Sequence, residues 1–309
     1  MAVVEAPSPT RAVASGAQPV RRHGRLTPYL FLLPFLVLFF GFVLIPAAFG
    51  LWVSLHDYNY LLPGKPWVGL RNYLDLFTPG SRDSGDFWQS MAATGIFTVF
   101  SVPLLIVCPL GVALLLNRVF PGRSFFRAVF FAPYVLGVAV VGILFRFVLD
   151  PNIGLVNYYL GHAIPWTTEV PWAWISLIGM TVWWTLGFNA VIFLAGLQEI
   201  SPELYEAARV DGASRWDEFR HVTLPGLRPV MAFVTTVTIL ASANMFGQSF
   251  LLTKGAPANE TRTAIMYIAD EGLSQNQMGA AAAMSYVLFL FLAIISIVNF
   301  RLQSRTAEE

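Results

Sequence analysis

Residues 198–228 read QEISPELYEAARVDGASRWDEFRHVTLPGLR. Ser201 stands where an N-cap would, and Pro202 suits the first helical position, where a missing N–H costs nothing. Leu204, Ala207, Ala208 and Val210 then alternate with charges at near-helical spacing. Gly212 follows as a residue that ends a helix. A second short helix is expected from about Ser214 to His221, with Trp216 and Phe219 three apart on one side, until Leu224-Pro225 breaks it. The stretch predicts two short helices joined at a glycine and lying on a surface. On pattern alone an amphipathic connector resting on lipid headgroups accounts for it equally well.

On either side of this stretch the sequence turns apolar. About 20 mostly apolar residues cross a hydrocarbon core of roughly 30 Å, and six runs meet that length, at 28–54, 91–116, 127–149, 171–197, 229–252 and 279–300. In lipid the backbone must satisfy its own hydrogen bonds, which makes runs of this length helices. Composition agrees, with 56% hydrophobic and 12% charged residues in 309, against about 25% charged in an average soluble domain. The expected fold class is an all-α polytopic membrane protein of six transmembrane helices, with the 198–228 loop between the fourth and fifth.

Orientation follows from basic residues, which are retained on the cytoplasmic side. Thirteen Lys and Arg fall in the N-tail, the 117–127 connection, the 198–228 loop and the C-tail, against five in the opposite connections. Both termini are therefore expected in the cytoplasm. Residues 1–27 are expected to form a disordered cytoplasmic N-tail, and 302–309 a cytoplasmic C-tail. The first apolar run exceeds the roughly 7–15 residues of a cleaved signal core, so an uncleaved first helix is expected.

The interiors of the spans hold no Asp, Glu, Lys or His, and their one arginine is Arg146, near an outer end and one helical turn from Asp150, close enough to pair. Ion-coupled transporters and intramembrane enzymes place ionisable groups inside the bundle. Neither class is supported, and energy for any transport must come from a partner. The four histidines, at 23, 56, 162 and 221, have no metal-ligand spacing. The single cysteine, Cys108, excludes a disulfide framework. A formal net charge of +1 offers no field for nucleic acid.

The string Glu206-Ala207-Ala208, three residues, Gly212, nine residues, Val222, one residue, then Leu224-Pro225 resembles the EAA signature of membrane subunits of bacterial ATP-binding-cassette importers, with Val222 where Ile is usual. Phe49 to Leu55, Trp67 to Tyr73, Gly154 to Asn157 and Leu252 to Pro257 are similar to the sugar and glycerol-phosphate permeases of that family, although Ala256 replaces a common glycine. The resemblance covers about 28–301. It implies a permease domain without chemistry of its own and a loop that docks in a cytoplasmic ATPase, with Glu206, Ala207, Ala208, Asp211, Gly212, Leu224 and Pro225 as coupling residues. It also implies a second homologous permease subunit, two ATPase copies that use ATP and Mg, an external solute-binding protein or lipoprotein, and surrounding membrane lipid. This chain itself is expected to bind no cofactor and no metal, and to lie in the bacterial cytoplasmic membrane.

A sugar path needs aromatic faces for pyranose rings and amides or hydroxyls for their oxygens. Thr181, Trp184, Thr185 and Phe188 form one stripe at i, i+3, i+4 and i+7 of the fourth span. Ordinary helix packing, or an interfacial anchor at Trp183 or Trp184, explains the same pattern. Asn189 is expected to be a packing contact. The fifth span supplies Thr238 with Ser242 and Asn244 with Gln248, each pair one turn apart. On a straight helix the pairs do not share a stripe, so one is expected to face elsewhere. A sugar or oligosaccharide is the expected cargo. Glycerol-3-phosphate or a related polyol ester is the same-class alternative, which a basic lining would favour; a polytopic membrane enzyme is the alternative of another class.

Overall fold

The structure, a computed structural model, describes residues 27–308, with side-chain surroundings from 29 to 301. Of the two expected tails, residues 1–26 and Glu309 lie outside the described residues, together with Arg11, Arg21, Arg22 and Arg25. The described residues are helical and hold no strand; one antiparallel bridge joins His56 to Trp67. They divide into a unit ending at Phe49 and a larger one beginning at Gly50.

The first unit contains α1 (Thr27–Phe39), the π-turn Phe40–Leu44 and the start of α2 (Ile45–Ser54). Its large apolar side chains, Phe31, Phe35 and Phe42 among them, are exposed, which water would oppose and lipid would not.

The second unit is built on α4 (Ser84–Asn117) and α8 (Trp172–Glu199), preceded by the short α3 (Arg71–Phe77). Leu110, Ala113 and Leu116 of α4 pack on Phe193, Leu194 and Leu197 of α8, with Leu227 and Val234 completing the cluster. Gly196 admits Val230 and Leu227 into that contact, since a Cβ there would lie 2.6 Å from Val230 Cγ2. Polar side chains join helices where lipid offers no partner. Asn189 donates to the Leu105 carbonyl at 3.0 Å, the packing contact expected of it, and Asn299 donates to Thr236 at 2.8 Å.

Four stretches are long and apolar enough to cross a membrane, namely Tyr29–Ser54, Ser84–Asn117, Trp172–Glu199 and Met278–Arg301, the last within α14 (Met278–Glu308). The other two expected spans are not straight. The 127–149 run is α5 (Arg123–Val135) and α6 (Val138–Val148), bent by 96° at Leu136-Gly137. Pro133 lies just before the break, where its ring and missing N–H weaken the ladder. The short α7 (Leu155–Leu160) follows.

The 229–252 run is likewise interrupted. Helix α12 (Arg228–Ala243) stops where the Asn244 side chain donates to the Leu240 carbonyl at 2.8 Å, and the chain resumes as the π-turn Ser249–Thr253. At 16 residues α12 spans only about 24 Å. It meets the Arg215–Gly226 segment before it at 67°. Beyond the π-turn come α13 (Ala264–Ala269) and α14.

Arg146 and Asp150, close enough in sequence to pair, do not do so among the described residues. The Asp150 carboxylate accepts from the backbone N–H groups of Asn152 and Ile153 at 2.9 and 3.1 Å, and among the described residues it forms no ion pair. Those N–H groups, more than Arg146, hold its pKa below the usual carboxylate value.

Candidate functional site

All eight residues of the expected path line one cavity of about 340 Å³. From α8 come Thr181, Trp184, Thr185 and Phe188; from α12 Thr238 and Ser242; from the segment after it Asn244 and Gln248. The expectation that one pair from the fifth span would face elsewhere fails because the helix ends between the pairs. Past Ala243 the chain is free of the helical register, and Asn244 and Gln248 fall on the same wall as Thr238 and Ser242.

The bend of the third span supplies the opposite wall. Tyr134, next to Pro133, stacks on Phe188 with ring centroids 4.5 Å apart and planes at 17°, and lies 6.1 Å from Trp184. Trp184 Nε1 donates to the Leu136 carbonyl at 2.9 Å, satisfying an acceptor that the break leaves without a helical partner. Close approach of α5 to α8 depends on Gly187, where a Cβ would stand 2.1 Å from the Phe130 carbonyl oxygen. After the bend, α6 rests on the segment beyond α12, with Gly142 against Leu251 and Gly247 against Val138.

Polar capacity in the cavity is mostly spent within the protein. Thr181 and Thr185 donate to the Leu177 and Thr181 carbonyls at 2.8 Å, and Ser101 donates to Ser242 at 3.3 Å. Their hydroxyl oxygens keep acceptor capacity. Asn189 and Asn244 are bonded to carbonyls, whereas the Gln248 amide has no hydrogen bond among the described residues. Among the described residues no charged side chain lines the cavity. Its composition is that of an aromatic slot with neutral hydrogen-bonding groups, suited to a polar, uncharged solute with flat apolar faces. Tyr134 escapes sequence reading because α5 gives no register against α8; the adjacent proline inside an apolar run is the one available signal.

The 198–228 loop forms α9 (Pro202–Val210), α10 (Arg215–Glu218), a π-turn at Phe219–Thr223 and α11 (Leu224–Gly226). Gly212 takes φ +83°, and the Ala213 N–H reaches back to the Ala208 carbonyl at 2.9 Å, closing α9 as its glycine predicts. Ser201 occupies the N-cap position without a side-chain cap bond. The capping box lies instead at Ser214 and Asp217, which the sequence reading passes over. Hydrogen bonds from Ser214 hold the Asp217 pKa below its usual value.

Leu224-Pro225 does not break the second helix. The wide π-turn before it places Pro225 in the first turn of the next helical piece, where no ladder bond is lost, and the bend comes at Leu227. Arg209 Nε donates to Glu218 Oε1 at 2.7 Å and the Tyr205 hydroxyl lies 3.0 Å from Thr223 Oγ1, so the two short helices are fastened to each other. Glu206, Ala207, Asp211, Gly212 and Pro225 are exposed, Ala208 and Leu224 half-buried, and Trp216 is 65% exposed. These residues are thus held on one fastened helical pair, and among the described residues nothing covers the exposed ones.

Comparison with known proteins gives one family. The model described as "binding-protein-dependent transport system inner membrane component" matches residues 86–308. The arabinooligosaccharides transport system permease protein of Bacillus subtilis is 32% identical over 304 residues, covering 96% of this chain and 94% of that one. The trehalose/maltose transport system permease protein of Thermococcus litoralis is 31% identical, covering 87% and 91%. Among solved structures, a bacterial importer of the acidic polysaccharide alginate shares the fold with TM-score 0.77 at 24% identity, covering 90% of this chain and 95% of that one.

Proposed function

Because this chain belongs to the family of binding-protein-dependent transport system inner membrane components, we propose that it is the membrane-spanning permease of an ATP-driven importer of a sugar or oligosaccharide. Its cargo arrives from an external solute-binding protein and leaves into the cytoplasm by alternating access. The bent α5–α6 pair counts as one crossing and α12 with the segment after it as another, giving six, with both termini and the 198–228 loop in the cytoplasm. The observation that carries the reading is the convergence of Trp184, Phe188, Tyr134, Asn244 and Gln248 on one uncharged cavity. An anionic polyol ester would favour a cationic lining, which this cavity lacks.

The chain is a transport subunit and leaves hydrolysis to others. Two copies of an ATPase would use ATP and Mg, and a second, homologous permease would complete the pathway. Glu206, Ala207, Ala208, Asp211, Gly212, Leu224 and Pro225 form the surface that would seat in the ATPase. ATP-driven closure of the ATPases shifts the helix bundle between inward- and outward-facing states only by binding them unequally, and the stiff α9–α10 pair would transmit that difference. The test is ATP-dependent uptake of labelled oligosaccharide by the reconstituted assembly. Phe188→Ala and Gln248→Leu are expected to lower uptake with the ATPase still bound; unchanged uptake kinetics in both would remove this cavity from the path.

A further inference from the structure

A second cavity, of about 640 Å³, lies behind the loop, between α9–α10 and the ends of α4 and α8. Leu114 and Leu197, at the last turns of the two long helices, line it with Phe219 and the polar Asn117, Tyr205 and Thr223, and its charged groups are Arg118, Arg209 and Arg215 with a single acid, Glu218. Arg209 is spent on Glu218 at 2.7 Å. Arg118 and Arg215 make no ion pair and no side-chain hydrogen bond among the described residues, so two guanidinium groups face the groove uncompensated. Each presents a planar fork of donors that matches phosphate oxygens.

We propose that this groove binds the headgroup of an anionic phospholipid of the cytoplasmic leaflet. Its phosphate would lie between Arg118 and Arg215, and the start of its acyl chains against Leu114 and Leu197. The groove opens where apolar helix gives way to polar loop, at the depth of the headgroups, and the cytoplasmic leaflet carries the anionic lipid that such basic pockets take. Placement on that leaflet rests on the orientation under Proposed function, whereas the binding itself does not depend on transport. Occupancy would tie α9 and α10 to α4 and α8, fixing the loop against the bundle it is proposed to drive.

The test is native mass spectrometry of the chain with its co-purifying subunits, after exchange into nanodiscs of phosphatidylcholine with or without phosphatidylglycerol. Phosphatidylglycerol is expected to be retained over phosphatidylcholine, and retention to fall roughly tenfold or more in Arg118→Gln/Arg215→Gln, but not in Arg146→Gln. The wild-type preference needs no variant and so survives a misfolded one. Equal retention of both lipids, or undiminished retention in the double variant, would overturn the proposal. So would displacement of the lipid by inorganic phosphate, which marks a site for the free anion. Retention by the isolated chain but not by the complex would assign the arginines to a partner and likewise overturn it. Absence of any co-purifying ATPase from the wild-type chain, with its lipid preference intact, would count against the coupling role alone.

Discussion

Trp184 of α8 hydrogen-bonds the carbonyl of Leu136 at 2.9 Å, across 48 positions of sequence, at the point where the third span breaks. The indole thereby ties the bend to the helix it faces and sets one side of the cavity. Trp184→Phe keeps an aromatic ring, smaller than the indole, and removes the donor. A loss of about 0.5–1.5 kcal/mol in stability is expected, with reduced uptake. Thermal unfolding of the purified protein in mild detergent reads the first effect, and a midpoint equal to wild type would remove the tie.

Glycine at 187 carries the closest helix contact beside the cavity. In Gly187→Ala the new methyl would meet the Phe130 backbone, which cannot rotate away, so α5 must move. Destabilisation of about 1–3 kcal/mol or more is expected, seen as low yield in the membrane and a lowered unfolding midpoint. Gly111→Ala, on α4 with no atom within 4 Å of the added methyl, is the control. It is expected to gain stability by up to about 1 kcal/mol, because alanine favours the helix.

For the loop, Glu206→Lys reverses an exposed charge on α9, and Gly212→Asp places a side chain at φ +83°. Both variants are expected to reach the membrane and to lose most of the co-purifying ATPase. Normal recovery of ATPase and normal uptake together would contradict the coupling role.

Glu271 lies in the connection before α14, paired with Arg82 at 3.3 Å and close to Asp83, Asp86, Asp270 and Tyr267. Burial, then the charge of Asp83, raises its pKa above the ordinary 4.5; burial raises Asp83 as well. A raised carboxyl contributes stability that is full below 4.5 and lost as pH rises through the folded value. Glu271→Gln is therefore expected to equal or exceed wild type in unfolding midpoint near neutral pH, with the gap closing on acidification toward about pH 4.5. A variant less stable than wild type at neutral pH by a margin that grows with pH would reverse the sign and refute the account.

Much of this was readable before any tertiary structure. Six apolar runs were sufficient for the class, since length and hydropathy are local properties, and the spacing from Glu206 to Pro225 was sufficient for the family. The stripe from Thr181 to Phe188 was legible because α8 is a regular helix and a period of 3.6 fixes its face. That Asn244 and Gln248 share a wall with Thr238 and Ser242 was not legible for the same reason reversed: a straight fifth helix would set the two pairs apart, and the helix ends at Ala243. The partner of Tyr134 had no local signal, because ring stacking across 54 positions depends on the 96° bend.

By itself the sequence determined where the chain becomes apolar, which loop carries charge, and the helix-ending glycine at 212. The tertiary structure alone decided that two apolar runs are broken and that their broken ends, with α8, enclose one cavity. The reason is physical: apolar burial and helix propensity are set by near neighbours, whereas a break is stable only when a distant group, such as the Trp184 indole, satisfies the carbonyl it exposes.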